Sequence, residues 1–292
     1  MIAKPHRRNN VALPIDGVLK HMAVHEWGDT KNPRVVICVH GLSRNSRDFD
    51  VLADALSADF RVLCPDIPGR GESDWLASAA HYAVPVYAQF INAMLTEFGV
   101  KTYDWVGTSM GGLIGMVMAA TPGSAMRRLV INDIGPALER VALERIAAYV
   151  GMSPLFPNYM ALFAAVSPLN VSFGPLTEEQ QHHMVRTGCQ ERSDGQWEFK
   201  SDPKIGDAFR AGLAQPDVDL WPLWRAVSQP TLILRGAHSD LLSATTLAEM
   251  LAIHPKTQPE TRAITLADTG HAPMIMDAPT VASIHQFFSA PA

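Results

Sequence analysis

Short apolar runs rich in β-branched residues recur along the chain, with longer helical patterns between them. Helical spacing is clear in the segment 84–97, whose apolar positions fall three or four residues apart. This alternation predicts an α/β fold, a mostly parallel central sheet with helices on both faces. The runs that predict its strands are 34–40, 61–65, 103–107, 128–133, 230–236 and 261–267, and two earlier runs, 10–14 and 19–27, predict an antiparallel hairpin at one edge.

The strand pattern stops between Asp133 and Pro230, where helical patterns dominate. A loop of that length without structure of its own is uncommon in a compact domain. We therefore expect a helical cap insertion over the sheet at 134–229, with 1–133 and 230–292 forming the core. Within the insertion, the segment 194–203 (DGQWEFKSDP) is expected to be a turn region.

Composition restricts the partners more than it restricts the fold. Of the 292 residues, 47% are hydrophobic and 18% are charged, which suits a large core and excludes a disordered chain. The net charge of -5 offers no basic face to nucleic acid, so a small molecule is the expected partner. The three cysteines are scattered, no apolar segment follows the basic N-terminus, and no apolar run reaches the roughly 18 residues of a membrane span. A cytoplasmic protein with no membrane segment is expected, and its oligomeric state is left open.

The segment 106–112, VGTSMGG, places one serine among three glycines between a predicted strand and a predicted helix. A serine on so sharp a turn has an unfavourable backbone conformation, and side chains at positions 107 and 111 would collide with the adjacent strand and helix. Glycines remove that collision, so the turn can lift Ser109 above the sheet. The main-chain N–H of Met110 then lies at a helix N-terminus, where it favours a developing oxyanion.

A serine hydroxyl at neutral pH needs a nearby base, which in turn needs an orienting carboxylate. His271 follows the last predicted strand, and Asp240 lies four residues after Gly236, at the end of the preceding strand. The order serine, aspartate, histidine is the one that accompanies a Gly-x-Ser-x-Gly turn. We predict Ser109 as nucleophile, His271 as base and Asp240 as acid. The alternative acid is Asp133, at the end of the strand that follows the serine helix.

The first long strand ends in His40-Gly41-Leu42. In this position the main-chain N–H of Leu42 is expected to be the second donor of an oxyanion hole, beside that of Met110. Ser43 and Arg44 follow directly, and they are candidates for binding a hydroxyl or carboxylate of the substrate.

Five motifs together resemble those of α/β-hydrolase-fold enzymes of the capped, single-domain kind, over essentially the whole chain. They are HGLSRNSRDF (40–49), DIPGRGESD (66–74), GTSMGG (107–112), LRGAHSDLLS (234–243) and TGHAP (269–273). The resemblance implies a serine hydrolase with the same roles for Ser109, Asp240 and His271. It also implies that DIPGRGES is a turn whose Asp66 and Arg70 are structural and tie it to the loop at His40.

The serine at the nucleophile position limits the reactions that can be expected of the protein. Members of the fold that open epoxides or displace halide carry an aspartate where Ser109 stands, and HGLSRNS differs from the HGGPG motif of proline-specific peptidases and the Gly-Pro-Gly version of carbon-carbon hydrolases. We therefore expect hydrolysis of a small to medium carboxylic ester, lactone or thioester through an acyl-enzyme on Ser109. Carbon-carbon bond hydrolysis, acyl transfer and non-catalytic small-molecule binding stay open as alternatives.

Aromatic residues of the insertion are candidates for the lining of the substrate pocket, above all Phe156, Tyr159 and Phe163, although residues at such spacing also serve to pack a cap. No cofactor and no metal are expected, because the chain has neither a glycine-rich dinucleotide fingerprint nor a Cys/His cluster with ligand spacing. Acid-bearing oligoesters, such as hydroxyalkanoate oligomers, and acyl lactones fit this expectation without being singled out by it.

Overall fold

The computed structural model describes residues 2–216, 218–253 and 261–291. Its strands are β1 (Arg7–Ile15), β2 (Val18–Trp27), β3 (Val35–Val39), β4 (Arg61–Pro65), β5 (Tyr103–Thr108), β6 (Met126–Asn132), β7 (Cys189–Glu191), β8 (Trp197–Phe199), β9 (Thr231–Gly236) and β10 (Arg262–Leu266). Eight of them form one sheet in the order β1-β2-β4-β3-β5-β6-β9-β10. β1 and β2 are the predicted antiparallel edge hairpin, and the strands from β3 to β6, with β9 and β10, are parallel to one another. The predicted α/β fold is confirmed.

Helices cover both faces of this sheet. The α-helices in the described part of the chain are α1 (Asp50–Leu56), α2 (Val84–Glu97), α3 (Met110–Ala120), α4 (Arg140–Tyr149), α5 (Tyr159–Val166), α6 (Glu178–Gly188), α7 (Lys204–Leu213), α8 (Trp221–Ala226), α9 (Ala244–Ile253) and α10 (Ala278–Ser289). α1 and α10 pack on one face, around Phe60 and Phe288, whereas α2 and α3 pack on the other, around Phe90 and Trp105. All four rings are buried, and burial of each contributes about 2 to 3 kcal/mol to folding.

The order of the strands opens a crevice at one end of the sheet. β3 has β4 on one side and β5 on the other, so the chain leaves the ends of β3 and β5 in opposite directions. In open parallel sheets, ligands bind at such a switch point, beyond the carboxyl ends of the strands. The loops that follow β3 and β5 carry Leu42 and Ser109, so the fold brings these two residues to one crevice.

The segment between β6 and β9 is mainly helical, as expected, and contains α4 to α8. It also contains β7 and β8, which pair as a small antiparallel hairpin. The prediction of a turn throughout 194–203 is therefore wrong in part, since Trp197–Phe199 form β8. Three-residue strands are too short to show an alternating pattern. The division into a core and a cap at 134–229 stays a prediction.

Within the described ranges, no single helix is both long and apolar enough to cross a membrane. One pair of helical segments, 159–173 and 178–188, reaches that length only when both are taken together, across a bend of 113°.

Candidate active site

Ser109 occupies a strained turn between β5 and α3. Its φ and ψ are 51° and -113°, a conformation that L-residues rarely adopt. A Cβ at Gly107 would lie 2.2 Å from the carbonyl oxygen of Gly111, and a Cβ at Gly111 would lie 2.0 Å from that of Val39. The glycines are therefore required by close backbone contacts, which is the reason inferred from the sequence.

Three side chains form a hydrogen-bonded chain at this turn. The Oγ of Ser109 lies 2.9 Å from Nε2 of His271, and Nδ1 of His271 lies 2.8 Å from Oδ2 of Asp133. The carboxylate of Asp133 is fully buried, and its other oxygen accepts a hydrogen bond of 2.9 Å from the N–H of Gly236. The imidazole is thus held with one nitrogen on a carboxylate and the other on the hydroxyl, as a base for a serine nucleophile must be.

The predicted contact of Asp240 with His271 is wrong, because Asp133 makes it. Asp133 follows β6 directly, beside the strand of Ser109, and its φ of 59° turns its side chain to His271. Asp240 follows a turn after β9, one strand further away, and its carboxylate pairs with Arg145 of α4 at 2.7 and 2.9 Å. Partial burial by itself raises the pKa of Asp240, but the hydrogen bonds and charge of Arg145 outweigh it and lower that pKa.

Two main-chain N–H groups face the same turn. The N–H of Met110 is in the first turn of α3, where helix geometry provides no acceptor within the helix. Leu42 lies in the loop after β3, and in the part of the chain that the structure describes its N–H donates no hydrogen bond to another protein group. Both residues lie close to Ser109, and the role of their N–H groups as an oxyanion hole stays a prediction.

A small cavity that is open to solvent is lined by Ser109 and His271. Its apolar wall combines Ile146 and Tyr149 from α4 with Phe173 and Met274. None of these four residues was predicted from the sequence, and only Met274, three positions after His271, lies near a predicted site residue.

The aromatic residues predicted to line this pocket do not line it. Phe156, Tyr159 and Phe163 instead pack with Leu162 and Trp197 in an apolar cluster within the inserted segment. The ring of Tyr159 lies 5.2 Å from that of Trp197 and 6.1 Å from that of Phe163, centroid to centroid. These aromatic residues pack the inserted segment internally. Packing of the cap was the alternative interpretation of their helical spacing.

Ser43 and Arg44 do line the cavity, and their role in binding stays a prediction. The Nε and Nη2 atoms of Arg44 donate to the Asp48 carboxylate at 2.9 and 2.6 Å. Burial opposes the charge of Arg44, but Asp48 outweighs it and raises the Arg44 pKa above its ordinary value. Nη1 has no carboxylate or carbonyl partner among the described residues, and it lies close to Gly188 at the end of α6.

The turn after β4 is bonded to the loop after β3, as the sequence analysis expected. The side chain of His40 accepts from the N–H of Ile67 at 2.9 Å, and its other ring nitrogen donates to the carbonyl of Gly41 at 2.7 Å. Asp66 accepts from the N–H of Ser46 at 2.8 Å. Burial alone raises the Asp66 pKa, but hydrogen bonds and positive charge from neighbouring groups, His25 foremost, lower it to about 2.

His40 makes the stability of the protein dependent on pH. Burial lowers the pKa of His40 from 6.5 to about 4, with Asp66, Asp48 and Arg70 as the charged groups that face it. Between these two values the unfolded chain binds a proton that the folded chain does not, so the free energy of unfolding falls as the pH drops from 6.5 to 4. We expect this group to remove about 3 kcal/mol over that range.

The measurement is urea unfolding from pH 4.5 to 7 for the wild type and His40→Gln, which keeps an acceptor for the N–H of Ile67 and does not titrate. Asp66 remains ionised throughout this range, so the difference between the two slopes isolates His40. Equal slopes would contradict the expectation.

The loop that carries His271 is bonded to the inserted segment on both sides. The N–H of Gly270 donates to the carbonyl of Ser172 at 2.7 Å, and the N–H of Met274 donates to the carbonyl of Phe173 at 3.0 Å. Both acceptors belong to the short 3-10 helix Ser167–Phe173, whose last residue also lines the cavity. The same two hydrogen bonds therefore connect the His271 loop to the segment that forms one wall of the cavity.

Among the described residues, no three His, Cys, Asp or Glu side chains are grouped so that they could hold one metal ion.

Comparison with known proteins places the chain among hydrolases of one fold. A family model for the alpha/beta hydrolase fold matches residues 34–278. A 3-hydroxybutyrate-oligomer hydrolase from Cupriavidus necator is 41% identical over 278 residues, which are 93% of this chain and 94% of that protein. An esterase from Mycobacterium tuberculosis is 28% identical over 235 residues, 77% of this chain and 72% of that protein.

Among solved structures, an alpha/beta hydrolase from Novosphingobium aromaticivorans superposes with a TM-score of 0.85 at 34% identity, covering 98% of this chain and 99% of that one. The family model covers most of the chain, and the observed fold agrees with it. The chain belongs to the α/β-hydrolase fold family.

Proposed function

We propose that this protein is a serine esterase that hydrolyses short oligoesters of 3-hydroxybutyrate or of closely related hydroxy acids. The observation that carries the proposal is the continuous hydrogen-bonded chain from Ser109 through His271 to the buried Asp133, open to a cavity. The 41% identity to a 3-hydroxybutyrate-oligomer hydrolase supports this choice of ester.

In the proposed reaction each of these three groups has a distinct role. The Oγ of Ser109 attacks the ester carbonyl carbon while Nε2 of His271 takes the hydroxyl proton, and Asp133 stabilises the imidazolium that forms. His271 then returns the proton to the alcohol oxygen as the ester bond breaks, which leaves an acyl group on Ser109. A water molecule, deprotonated by His271, attacks that acyl carbon, and the proton passes to Ser109 as the acid departs.

Negative charge develops on the carbonyl oxygen in both halves of the reaction. The N–H groups of Leu42 and Met110 are the donors for that oxygen, and a single donor of this kind contributes about 3 kcal/mol to the transition state. The strained turn at Ser109 fixes one of them and the loop after β3 fixes the other.

The cavity suits an ester that is apolar along its length and acidic at one end. Ile146, Tyr149, Phe173 and Met274 give it an apolar wall, and Arg44 gives it one cationic group. An oligomer of 3-hydroxybutyrate has this chemistry, since methyl-bearing ester units end in a free carboxylate.

The test is incubation with purified 3-hydroxybutyrate dimer and trimer, with monomer release followed by liquid chromatography and the quenched protein analysed by peptide mass. We expect monomer to accumulate and a hydroxybutyryl group to appear on the peptide that contains Ser109. Cleavage of p-nitrophenyl butyrate without cleavage of the oligomers would overturn the substrate, and oligomer cleavage with the acyl group on another peptide would overturn the mechanism.

Arg44→Met is expected to weaken binding of the acidic end. One charge-assisted hydrogen bond is worth about 1.5 to 3 kcal/mol. Because Asp48 already offsets part of the charge of Arg44, we expect the low end of that range, a rise of about tenfold in KM for the free dimer with little change in kcat.

The matched control is the methyl ester of the same dimer, which lacks the carboxylate. Its KM should be the same for wild type and Arg44→Met. A parallel rise for both substrates would show that Arg44 shapes the cavity and does not bind the acid.

A further inference from the structure

Arg70 is a fully buried cation without a carboxylate partner among the described residues. Its Nε donates to the carbonyl of Leu42 at 2.8 Å, and its Nη1 donates at 2.8 Å each to the carbonyl of Pro68 and the hydroxyl of Tyr87. Buried charges are normally paired, because desolvation without a counterion is costly. The guanidinium lies 5.6 and 5.1 Å from the ring centroids of Tyr82 and Tyr87, so aromatic rings and neutral acceptors, and no carboxylate, surround this charge.

The guanidinium contacts both residues whose N–H groups face the candidate oxyanion. Its Nε donates to the carbonyl of Leu42, and its Nη2 lies 3.6 Å from Sδ of Met110. Asp66, a buried carboxylate in the same turn, is already engaged by the N–H groups of Ser46 and Glu72. The positive charge of Arg70 therefore lies beside the loop and the helix start that flank Ser109.

We propose that Arg70 is a positioning residue for the oxyanion hole: it fixes the Leu42 segment against the start of α3 and makes the hole electropositive. This inference rests on the proposed function, since it needs an anion to form beside Ser109. In the resting enzyme the charge of Arg70 lacks a counterion, and the oxyanion supplies one in the transition state. A charge in a water-excluded site acts over longer distances than it does in water.

The geometry distinguishes this role from simple packing. A side chain needed only to join the turn after β4 to the loop after β3 requires hydrogen bonds, which His40 and Asp66 already provide. A neutral residue at position 70 that fills the same space would preserve that connection. Only the stabilisation of an anion depends on the charge.

The test compares Arg70→Met, Arg70→Gln and Arg70→Lys with the wild type. Each protein is assayed for turnover and for its affinity toward two inhibitors of similar structure. A trifluoromethyl ketone analogue of a butyrate ester adds Ser109 to give a hemiketal oxyanion, whereas the corresponding methyl ketone binds as a neutral ground-state analogue. For Arg70→Met and Arg70→Gln we expect kcat to fall by about 10- to 100-fold and the affinity for the trifluoromethyl ketone to fall in parallel. KM and the affinity for the methyl ketone should change by less than about threefold, and Arg70→Lys should recover much of the loss.

A matched control is Arg128→Met. Arg128 is also a buried arginine held by main-chain carbonyls, those of Ala290 and Pro291 at 2.9 Å, and it lies at the start of β6, away from the site. Its loss should leave kcat and both ketone affinities unchanged. Should Arg70→Met not fold, Arg70→Gln carries the test, because its amide can still donate to the carbonyl of Leu42.

The outcomes separate this inference from the proposed function. Full activity of a variant without the Ser109 hydroxyl would refute the serine esterase itself. If that variant is inactive while Arg70→Met and Arg70→Gln retain wild-type kcat and trifluoromethyl ketone affinity, only the role of Arg70 is overturned. An equal loss of affinity for both ketones would also overturn it, since it would indicate damage to the cavity.

Discussion

Ser109→Ala is expected to lower kcat for ester hydrolysis by about 10⁵-fold, close to complete loss. The substitution removes the only atom that attacks the ester, while His271, Asp133 and both N–H donors stay in place. Binding should persist, because the cavity keeps its apolar wall and Arg44. Initial rates with p-nitrophenyl butyrate and the 3-hydroxybutyrate dimer, together with labelling by a fluorophosphonate, measure the effect.

The control is Ser57→Ala, at the end of α1, where the hydroxyl only donates to the carbonyl of Asp54. It should be fully active. Ser109→Gly gives a second signature, since glycine tolerates the φ of 51° that strains serine. We expect it to be inactive and about 1 kcal/mol more stable than Ser109→Ala in urea unfolding. A Ser109→Ala protein with wild-type turnover would refute the esterase mechanism.

Asp133→Asn is expected to lower kcat by about 10³- to 10⁴-fold. The amide that replaces the carboxylate cannot stabilise an imidazolium, and it favours the tautomer of His271 that cannot accept the proton of Ser109. Because Asp133 is buried and also accepts from Gly236, some loss of stability should accompany the loss of rate. Steady-state kinetics at matched folded fractions, verified by thermal unfolding, separate the two effects.

Asp240→Asn is the matched comparison. Asp240 also follows a strand, β9, which is next to β6 in the sheet, but its carboxylate pairs with Arg145. Both partners are exposed by more than two fifths, so the lost ion pair should cost no more than about 1 kcal/mol of stability. We expect kcat to change by less than about threefold. Loss of activity in Asp240→Asn with full activity in Asp133→Asn would restore the assignment made from the sequence.

Much of the site was predictable because its signals are local. A Cβ at Gly107 or Gly111 would lie only 2.0 to 2.2 Å from a main-chain oxygen, so both positions beside Ser109 require glycine and the motif is visible in the sequence. The strands were found for a similar reason, since buried parallel strands require continuous apolar runs. His271 was found because it follows the last such run.

The acid could not be chosen from the sequence, because two aspartates each follow a strand that ends near the base. The choice depends on the φ of 59° at Asp133 and on Arg145, which comes from a distant helix to pair with Asp240. Neither is encoded in the residues next to the aspartates. The same limit applies to Phe156, Tyr159 and Phe163, since helical spacing shows that a face is buried but does not show what covers it.

The two hydrogen bonds from the His271 loop to the carbonyls of Ser172 and Phe173 have a consequence for protein engineering. Suppose that the inserted segment is exchanged for that of a relative in order to change substrate preference. The exchange replaces the two carbonyls that hold the His271 loop, although it leaves every reacting side chain unchanged. Chimeras should therefore retain residues 172–173 and their backbone path. Grafts that alter this junction are expected to lose turnover on all esters alike, while grafts confined to α4 should redirect specificity.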